Sequence, residues 1–167
     1  MAKISFKNMD AFGEKLQSLE RHFAKDATLE KAVAAGAAVV ADEIRANLEA
    51  LPEEDFRFLS EGATFSGLSA SQKEDLAAGF GLTPIERDKN GLIHTKAGFD
   101  GYGSFPTKQY PQGVPNALLA RAVESGSSVR QKRPFVRPAV TATRTEAINK
   151  MADVIDEESQ KIMNGGK

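Results

Sequence analysis

The sequence predicts a single α+β domain in which a long N-terminal helix and a long C-terminal helix pack on a small antiparallel sheet that contains a β-hairpin. Apolar residues recur every three or four positions over residues 28–51, and a second helical pattern covers residues 138–163. Between them, Asn90 and Gly91 separate two extended runs, as in a tight hairpin. The 167 residues, 41% of them apolar, provide material for one modest core, so we expect one domain over residues 1–167.

Two amphipathic helices are expected in the first third of the chain. Residues 10–23 carry one apolar stripe, and Asp10 is a candidate N-cap. The stronger helix, residues 28–51, has the small-residue centre AVAAGAAVVA, which would let another element approach closely, and Pro52 should end it. Residues 52–70 show no clean period and are predicted to be mostly loop.

The middle of the chain predicts a short helix and then the hairpin. Ser71 and Glu74 have the spacing of a capping box, and the glycines of GFG at residues 79–81 should end this helix. The two runs around Asn90 and Gly91 do not alternate cleanly between apolar and polar residues. This pattern indicates a hairpin covered on both faces, within the chain or by a neighbouring subunit.

A long loop rich in glycine and proline is predicted at about residues 99–115. It is too long for an ordinary connection in a compact domain. Its aromatic residues, Phe99, Tyr102, Phe105 and Tyr110, argue against a permanently solvated segment. Two interpretations stay open: the loop becomes ordered against a partner, or it packs on its own domain.

A short helix or turn then leads to the final helix, residues 138–163, whose buried stripe should hold Ile148, Met151, Ile155 and Ile162. With a net charge of −1 and an isoelectric point near 6.2, the chain is not basic overall, as a dedicated nucleic-acid binder would be. There is no cysteine and no apolar stretch of membrane-spanning length. We therefore expect a soluble protein made in the cytoplasm.

No catalytic, cofactor or metal site is expected. His22 and His94 have no carboxylate or serine at a recognisable motif spacing, and the run Glu53, Glu54 and Asp55 is typical of a solvated surface. The glycines form no nucleotide-binding motif, and DKNG lacks the remaining ligands of a calcium loop. The sequence thus predicts a protein without enzymatic activity.

The stretch RQKRPFVRPAV, residues 130–140, is the most unusual part of the chain. No acidic residue lies between Glu124 and Glu146, whereas this interval holds five cations: Arg130, Lys132, Arg133, Arg137 and Arg144. Pro134 and Pro138 should stiffen the entry to the last helix and hold Phe135 in a fixed place. Phe135 then either closes the end of the core or docks into a neighbouring subunit.

The segment from NALLARAVESGSS through RPFVRPAV to the terminal helix resembles the siphophage tail-component family, also called tail-completion or head–tail joining proteins. The matching residues are Glu124, Ser125, Gly126, Ser127 and Ser128, followed by Pro134, Phe135, Val136, Arg137, Pro138 and Ala139. Ser125 stands where the family usually has an aromatic residue, and Ser127 where it has threonine. The close resemblance covers about the last 55 residues of the chain.

The resemblance implies a non-enzymatic structural protein of a tailed phage or prophage, made in the host cytoplasm and assembled into the virion as a homo-oligomeric ring at the head–tail joint. Neighbouring neck and tail proteins would be its partners, genomic DNA would pass nearby without sequence-specific binding, and no membrane or cofactor would be involved. Subunit or partner contacts are expected at Arg133, Pro134, Phe135, Arg137, Pro138, Glu124, Gly126, Phe99, Tyr102, Phe105 and Tyr110. The alternative is a DNA-binding module that uses the basic segment 130–144 on phosphates.

Overall fold

The structure is a computed structural model and describes residues 9–23, 27–55 and 62–164. Its elements follow one another as α1 Met9–Phe23, α2 Ala27–Glu49, α3 Ala70–Gly79, β1 Phe80–Leu82, β2 Glu86–Arg87, β3 Ile93–His94, β4 Ala97–Phe99, α4 Asn116–Ser125 and α5 Val136–Met163. The predicted α+β class, with a long helix near each end of the chain, is confirmed.

The strands form two separate antiparallel pairs. β1 pairs with β4, with Phe80 opposite Phe99, and β2 pairs with β3 in the predicted hairpin. Gly91 has the positive φ of 82° that the turn requires, and the Asp88 carboxylate accepts the N–H groups of Asn90 and Leu92 at 2.8 Å. Strand β2 is exposed, so within this chain the hairpin is not covered on both faces.

Helices α2 and α5 form the main packed pair of the fold. Helix α5 faces α2 with the small buried residues Ala139 and Ala147, and Gly36 of α2 lies against Met151. A Cβ atom at Gly36 would lie 2.6 Å from Met151 Cγ and 3.1 Å from the Ala147 carbonyl oxygen, so a larger residue here would require the Met151 side chain to move. The close approach predicted for the small-residue centre of α2 is therefore present.

The hydrophobic core lies between α2, α3, α4, β1 and the start of α5. Its buried members are Ala41, Ile44, Leu48, Leu68, Leu76, Phe80, Leu119, Ala120, Val123, Phe135 and Ala139. The ring of Phe99 bridges two of them, with centroids 5.1 Å from Phe80 and 5.8 Å from Phe135. This aromatic row joins the β1/β4 pair to the beginning of the last helix.

Two predicted helix caps are wrong. Asp10 lies inside α1, so it is not the N-cap. Helix α3 begins at Ala70, which makes Ser69 the N-cap and Gln72 its reciprocal partner in the capping box. Ser71 lies within the first turn of that helix. Tertiary contacts fix where the helix starts, and several polar residues near that point could have served as the cap.

The last helix ends at Met163 as predicted, but its start and part of its buried face differ from the prediction. Helix α5 begins at Val136, two residues before the predicted start, and Pro138 is its third residue. Ile148 is 55% exposed, so its assignment to the buried stripe is wrong. The face that packs on α2 contains the small residues Ala139, Thr143 and Ala147, which permit the close approach, together with the predicted Met151.

Candidate functional site: the corner before the last helix

Residues 124–138, which connect α4 to α5 and are called the corner below, are organised by one carboxylate. The Glu124 side chain accepts the backbone N–H groups of Phe135, Val136 and Arg137 at 2.7, 2.9 and 3.1 Å. A helix leaves its first N–H groups without intrahelical acceptors, and Phe135 at the N-cap position has no polar side chain to accept them. Glu124 therefore caps α5 from the end of the preceding helix.

Two opposing effects act on the pKa of Glu124. Partial burial raises it, whereas the backbone N–H groups of Val136, Phe135 and Arg137 and the nearby charge of Arg137 lower it. The net result is a pKa below the ordinary value of 4.5. Glu124 thus stays ionised near neutral pH, where its negative charge also suits the positive end of the α5 dipole.

Gly126 ends α4 and lets the chain turn into the corner. Its φ is 80°, and its N–H donates to the Ala122 carbonyl at 2.9 Å. The chain then returns to α4, because the Arg133 N–H donates to the Val123 carbonyl at 2.8 Å. The Glu-x-Gly element and the Pro-Phe-Val-Arg-Pro element of the sequence are therefore adjacent parts of one folded unit.

Arg130 is buried at 7% exposure and acts inside the domain. Its guanidinium donates to the Gly67 carbonyl and, at 3.2 Å, to Gln72 Oε1, and it lies 5.4 Å from the ring centroid of Phe65. These contacts tie the corner to residues 65–72. The sequence placed Arg130 among five cations of a positive patch, and the structure leaves only the other four exposed: Lys132, Arg133, Arg137 and Arg144.

Phe135 occupies the core and is 1% exposed. Its ring meets the edge of Phe99, and its carbonyl accepts the Asn47 side-chain amide at 3.1 Å. The assignment of Phe135 as a direct interface residue is therefore corrected to a core residue, the other interpretation that the sequence left open. From the sequence, a phenylalanine fixed between two prolines could serve as a core residue or as an interface residue. The position of α2 and β4, which cover the ring, decides that it is a core residue.

The other predicted interface residues on the second half of the corner face solvent. Arg133, Pro134, Arg137 and Pro138 are exposed. Arg133 Nε donates to the Ser66 carbonyl at 3.2 Å, and Arg137 Nε lies 3.9 Å from Glu124 Oε1. The corner thus exposes cationic side chains, and its backbone is fixed by hydrogen bonds to Glu124 on the side facing α4.

The loop over residues 99–115 contributes to a different part of the surface. Phe99 is in contact with the core, whereas Tyr102 and Phe105 are 57% and 66% exposed and Tyr110 is half-buried. The loop closes at its base, where the Gly103 N–H donates to the Val114 carbonyl at 2.8 Å. It packs partly on its own domain, through Asp75, which accepts both the N–H and the hydroxyl of Ser104.

An open groove of about 1,010 Å³ lies between α3, this loop and residues 53–55. Apolar side chains of Phe105, Val114 and Leu119 line it together with five carboxylates: Glu53, Glu54, Asp55, Glu74 and Asp75. The sequence indicated only a solvated acidic run at residues 53–55. No local pattern in the sequence connects that run to α3 or to the loop, so the groove could not be predicted.

Within the described ranges, no group of three or more metal-ligating side chains occurs. His94 Nδ1 lies 3.4 Å from the Leu92 carbonyl, and the side chain of His22 lies outside the part that the structure describes. None of the described helices is long and apolar enough to cross a membrane.

Comparisons of the chain with protein-family models, with curated proteins and with solved structures found no match. The resemblance to phage tail components therefore rests on the motif residues of the sequence.

Proposed function

We propose that the protein is a non-enzymatic structural component of a tailed phage or prophage virion that joins head or neck to tail by assembling into a ring. The observation that carries this proposal is the corner itself. The motif residues Glu124, Gly126 and Phe135 each have a defined part in one folded unit, as the cap, the turn and the buried anchor of α5. Such a unit would explain why the motif has that order and spacing.

A corner of this kind suits repeated self-association. Glu124 and the buried Phe135 hold the start of α5 in a fixed position, so the backbone that carries the exposed Arg133 and Arg137 has little freedom left to lose. Binding costs less when the contacting groups are already ordered. The interface set proposed here therefore keeps Arg133, Pro134, Arg137 and Pro138 as contacts and assigns Phe135 to positioning them.

The exposed aromatic residues of the loop supply a second association surface. Tyr102 and Phe105 are large, rigid side chains of the type that dominates binding energy at protein interfaces. Neighbouring subunits or the neck and tail proteins above and below the ring are the partners that would cover them. In the virion, the DNA would pass through the ring without sequence-specific contacts.

A DNA-binding module is the second candidate function, and one observation favours it. Lys132, Arg133, Arg137 and Arg144 are all exposed within a short segment that has no acidic residue. Cations of this kind bind phosphates without regard to sequence. Arg130, which the sequence included in this patch, is committed to Gly67 and Gln72 and would add little.

Sedimentation and electron microscopy of the purified chain separate the two functions. We expect concentration-dependent assembly into closed rings of one size, and weak binding to duplex DNA at physiological salt. A chain that stays monomeric at all concentrations, and binds duplex DNA with an affinity that falls steeply as salt rises, would instead support the DNA-binding module.

A further inference from the structure

One exposed face of α5 carries an alternation of cationic and apolar residues. Arg137, Val140, Arg144 and Ile148 follow at spacings of three, four and four, which places them along one side of the helix. Arg137 and Arg144 are exposed, and the two apolar side chains are 45% and 55% exposed. We call these four residues the α5 stripe.

The groove between α3 and the loop has the opposite charge and a similar apolar content. Five carboxylates line it, and none of its described lining residues is lysine or arginine. Two of the five have partners within the chain: Glu53 is paired with Lys73 at 3.2 Å, and Glu54 accepts the N–H groups of Ser66 and Gly67. Phe105 and the half-buried Val114 provide apolar surface in the groove, whereas Leu119 is a core residue at 7% exposure. At 66% exposure, Phe105 gives the groove an apolar side chain that solvent reaches in the single chain.

We propose that the α5 stripe of one copy docks into the acidic groove of a second copy. Arg137 and Arg144 would face the carboxylates of the groove, and Val140 and Ile148 would cover Phe105 and its apolar neighbours. An amphipathic helix face in an apolar groove is a common mode of protein recognition, and opposite charges fix its orientation. This inference rests on the proposed self-association and specifies which two surfaces meet.

The position of the two surfaces favours contact between copies over contact within one chain. Helix α5 packs chiefly on α1 and α2, whereas α3, which carries Glu74 and Asp75, packs on α2 and α4. The stripe and the groove are therefore different patches on different elements. A contact between two different patches is heterologous, and it closes into a ring when the rotation between subunits allows.

Charge exchange between the two surfaces tests this pairing. The stripe variant carries Arg144→Glu and Ile148→Glu, and the groove variant carries Ala70→Lys and Glu74→Lys. All four positions are exposed and helical, and the two positions of each pair are four residues apart. None of them belongs to the corner, and Asp75 is unchanged. The control variant carries Asn149→Glu and Lys150→Glu, which changes the net charge as much as the stripe variant does but lies elsewhere on α5.

Association is measured by sedimentation velocity over a concentration series for the wild type, each variant and an equimolar mixture of the stripe and groove variants. We expect each of the two variants to associate at least about tenfold more weakly than the wild type, because like charges then oppose each other. The mixture should recover association to within about threefold of the wild type, because the acidic stripe of one variant then faces the lysines introduced into the groove of the other. The control should associate like the wild type.

Each other result has a defined meaning. A wild type that assembles while both variants assemble equally well overturns the pairing and leaves the proposed ring intact. Weakening of the stripe variant alone, or a mixture that fails to recover, assigns the stripe to another partner and also overturns the pairing. A wild type that remains monomeric throughout overturns the proposed self-association together with the pairing. Circular dichroism and thermal unfolding of every variant establish that each is folded.

Discussion

The corner and the loop over residues 99–115 have similar sequence character but are held in different ways. Both connect regular elements, and both contain prolines and aromatic residues. The corner has a carboxylate that caps three N–H groups, a buried arginine and a buried phenylalanine. The loop is held by backbone hydrogen bonds at its base and between Thr107 and Tyr110, and Tyr102 and Phe105 are exposed to solvent.

The difference shows that proline content does not by itself make a connection rigid. Prolines restrict the backbone at single residues, but a segment becomes fixed when its polar groups meet partners and a large side chain is buried. By this criterion the backbone of the corner is fixed as part of the domain, whereas the loop is held by fewer contacts and exposes Tyr102 and Phe105. Substitutions in each region, with matched controls, test this division.

The largest effect is expected for Phe135→Ala. Removal of this fully buried ring should lower the free energy of unfolding by about 3–5 kcal/mol, because it leaves a cavity beside Phe99 and the start of α5. Phe105→Ala in the loop is the matched control and should change it by no more than about 0.5 kcal/mol. Chemical denaturation of the monomer measures both. Equal small effects would place Phe135 outside the core.

A smaller loss is expected for Glu124→Ala. Three N–H groups at the beginning of α5 would lose their acceptor, which should cost about 1–3 kcal/mol of folding stability. Glu146→Ala, at an exposed position later in α5, is the control and should be nearly neutral. Urea denaturation at neutral pH compares the two. If Glu124→Ala is as mild as the control, the start of α5 does not depend on this cap.

The contribution of Glu124 should also depend on pH. Its pKa in the folded chain is below the ordinary value of 4.5, so its ionised form stabilises the fold above that value. This stability is lost as the pH falls from the ordinary value through the lower pKa of the folded state. The difference in unfolding free energy between the wild type and Glu124→Gln should therefore narrow as the pH is lowered below about 4.5. A constant difference from neutral pH down to about pH 3 would contradict the assigned charge state.

The smallest effect is expected for Asp75→Asn, which tests the loop. An amide keeps only one acceptor oxygen for the N–H and hydroxyl of Ser104. Global stability should fall by less than about 1.5 kcal/mol, whereas amide hydrogen exchange should become faster in the loop. Glu74→Gln is the control on the same helix. Exchange in the corner should not change in either variant, and a change there would mean that the two regions are coupled.

Exchange measurements on the wild type address the interpretation of the loop that the sequence left open. We predict stronger protection of residues 100–115 in the assembled protein than in the free subunit, because assembly would cover the exposed aromatic residues. Equal protection in both states would mean that the contacts within its own domain are enough to order the loop.

The sequence alone determined the features that depend on neighbours along the chain. The apolar period predicted α2 and the last helix, the Asn-Gly pair predicted the hairpin, and the small residues around Gly36 predicted a close approach of helices. These features follow from local geometry, since a helix repeats every 3.6 residues and a tight turn needs a residue with positive φ.

Only the tertiary structure decided which residues are buried and which face solvent. Phe135 is buried, Arg130 is paired inside the domain, Ile148 is exposed, and the carboxylates of residues 53–55 join those of α3 in one groove. Each of these outcomes depends on segments far away in the chain that cover a residue or leave it in solvent. Burial is a property of the packed assembly of elements, and the local pattern of residues constrains it without fixing it.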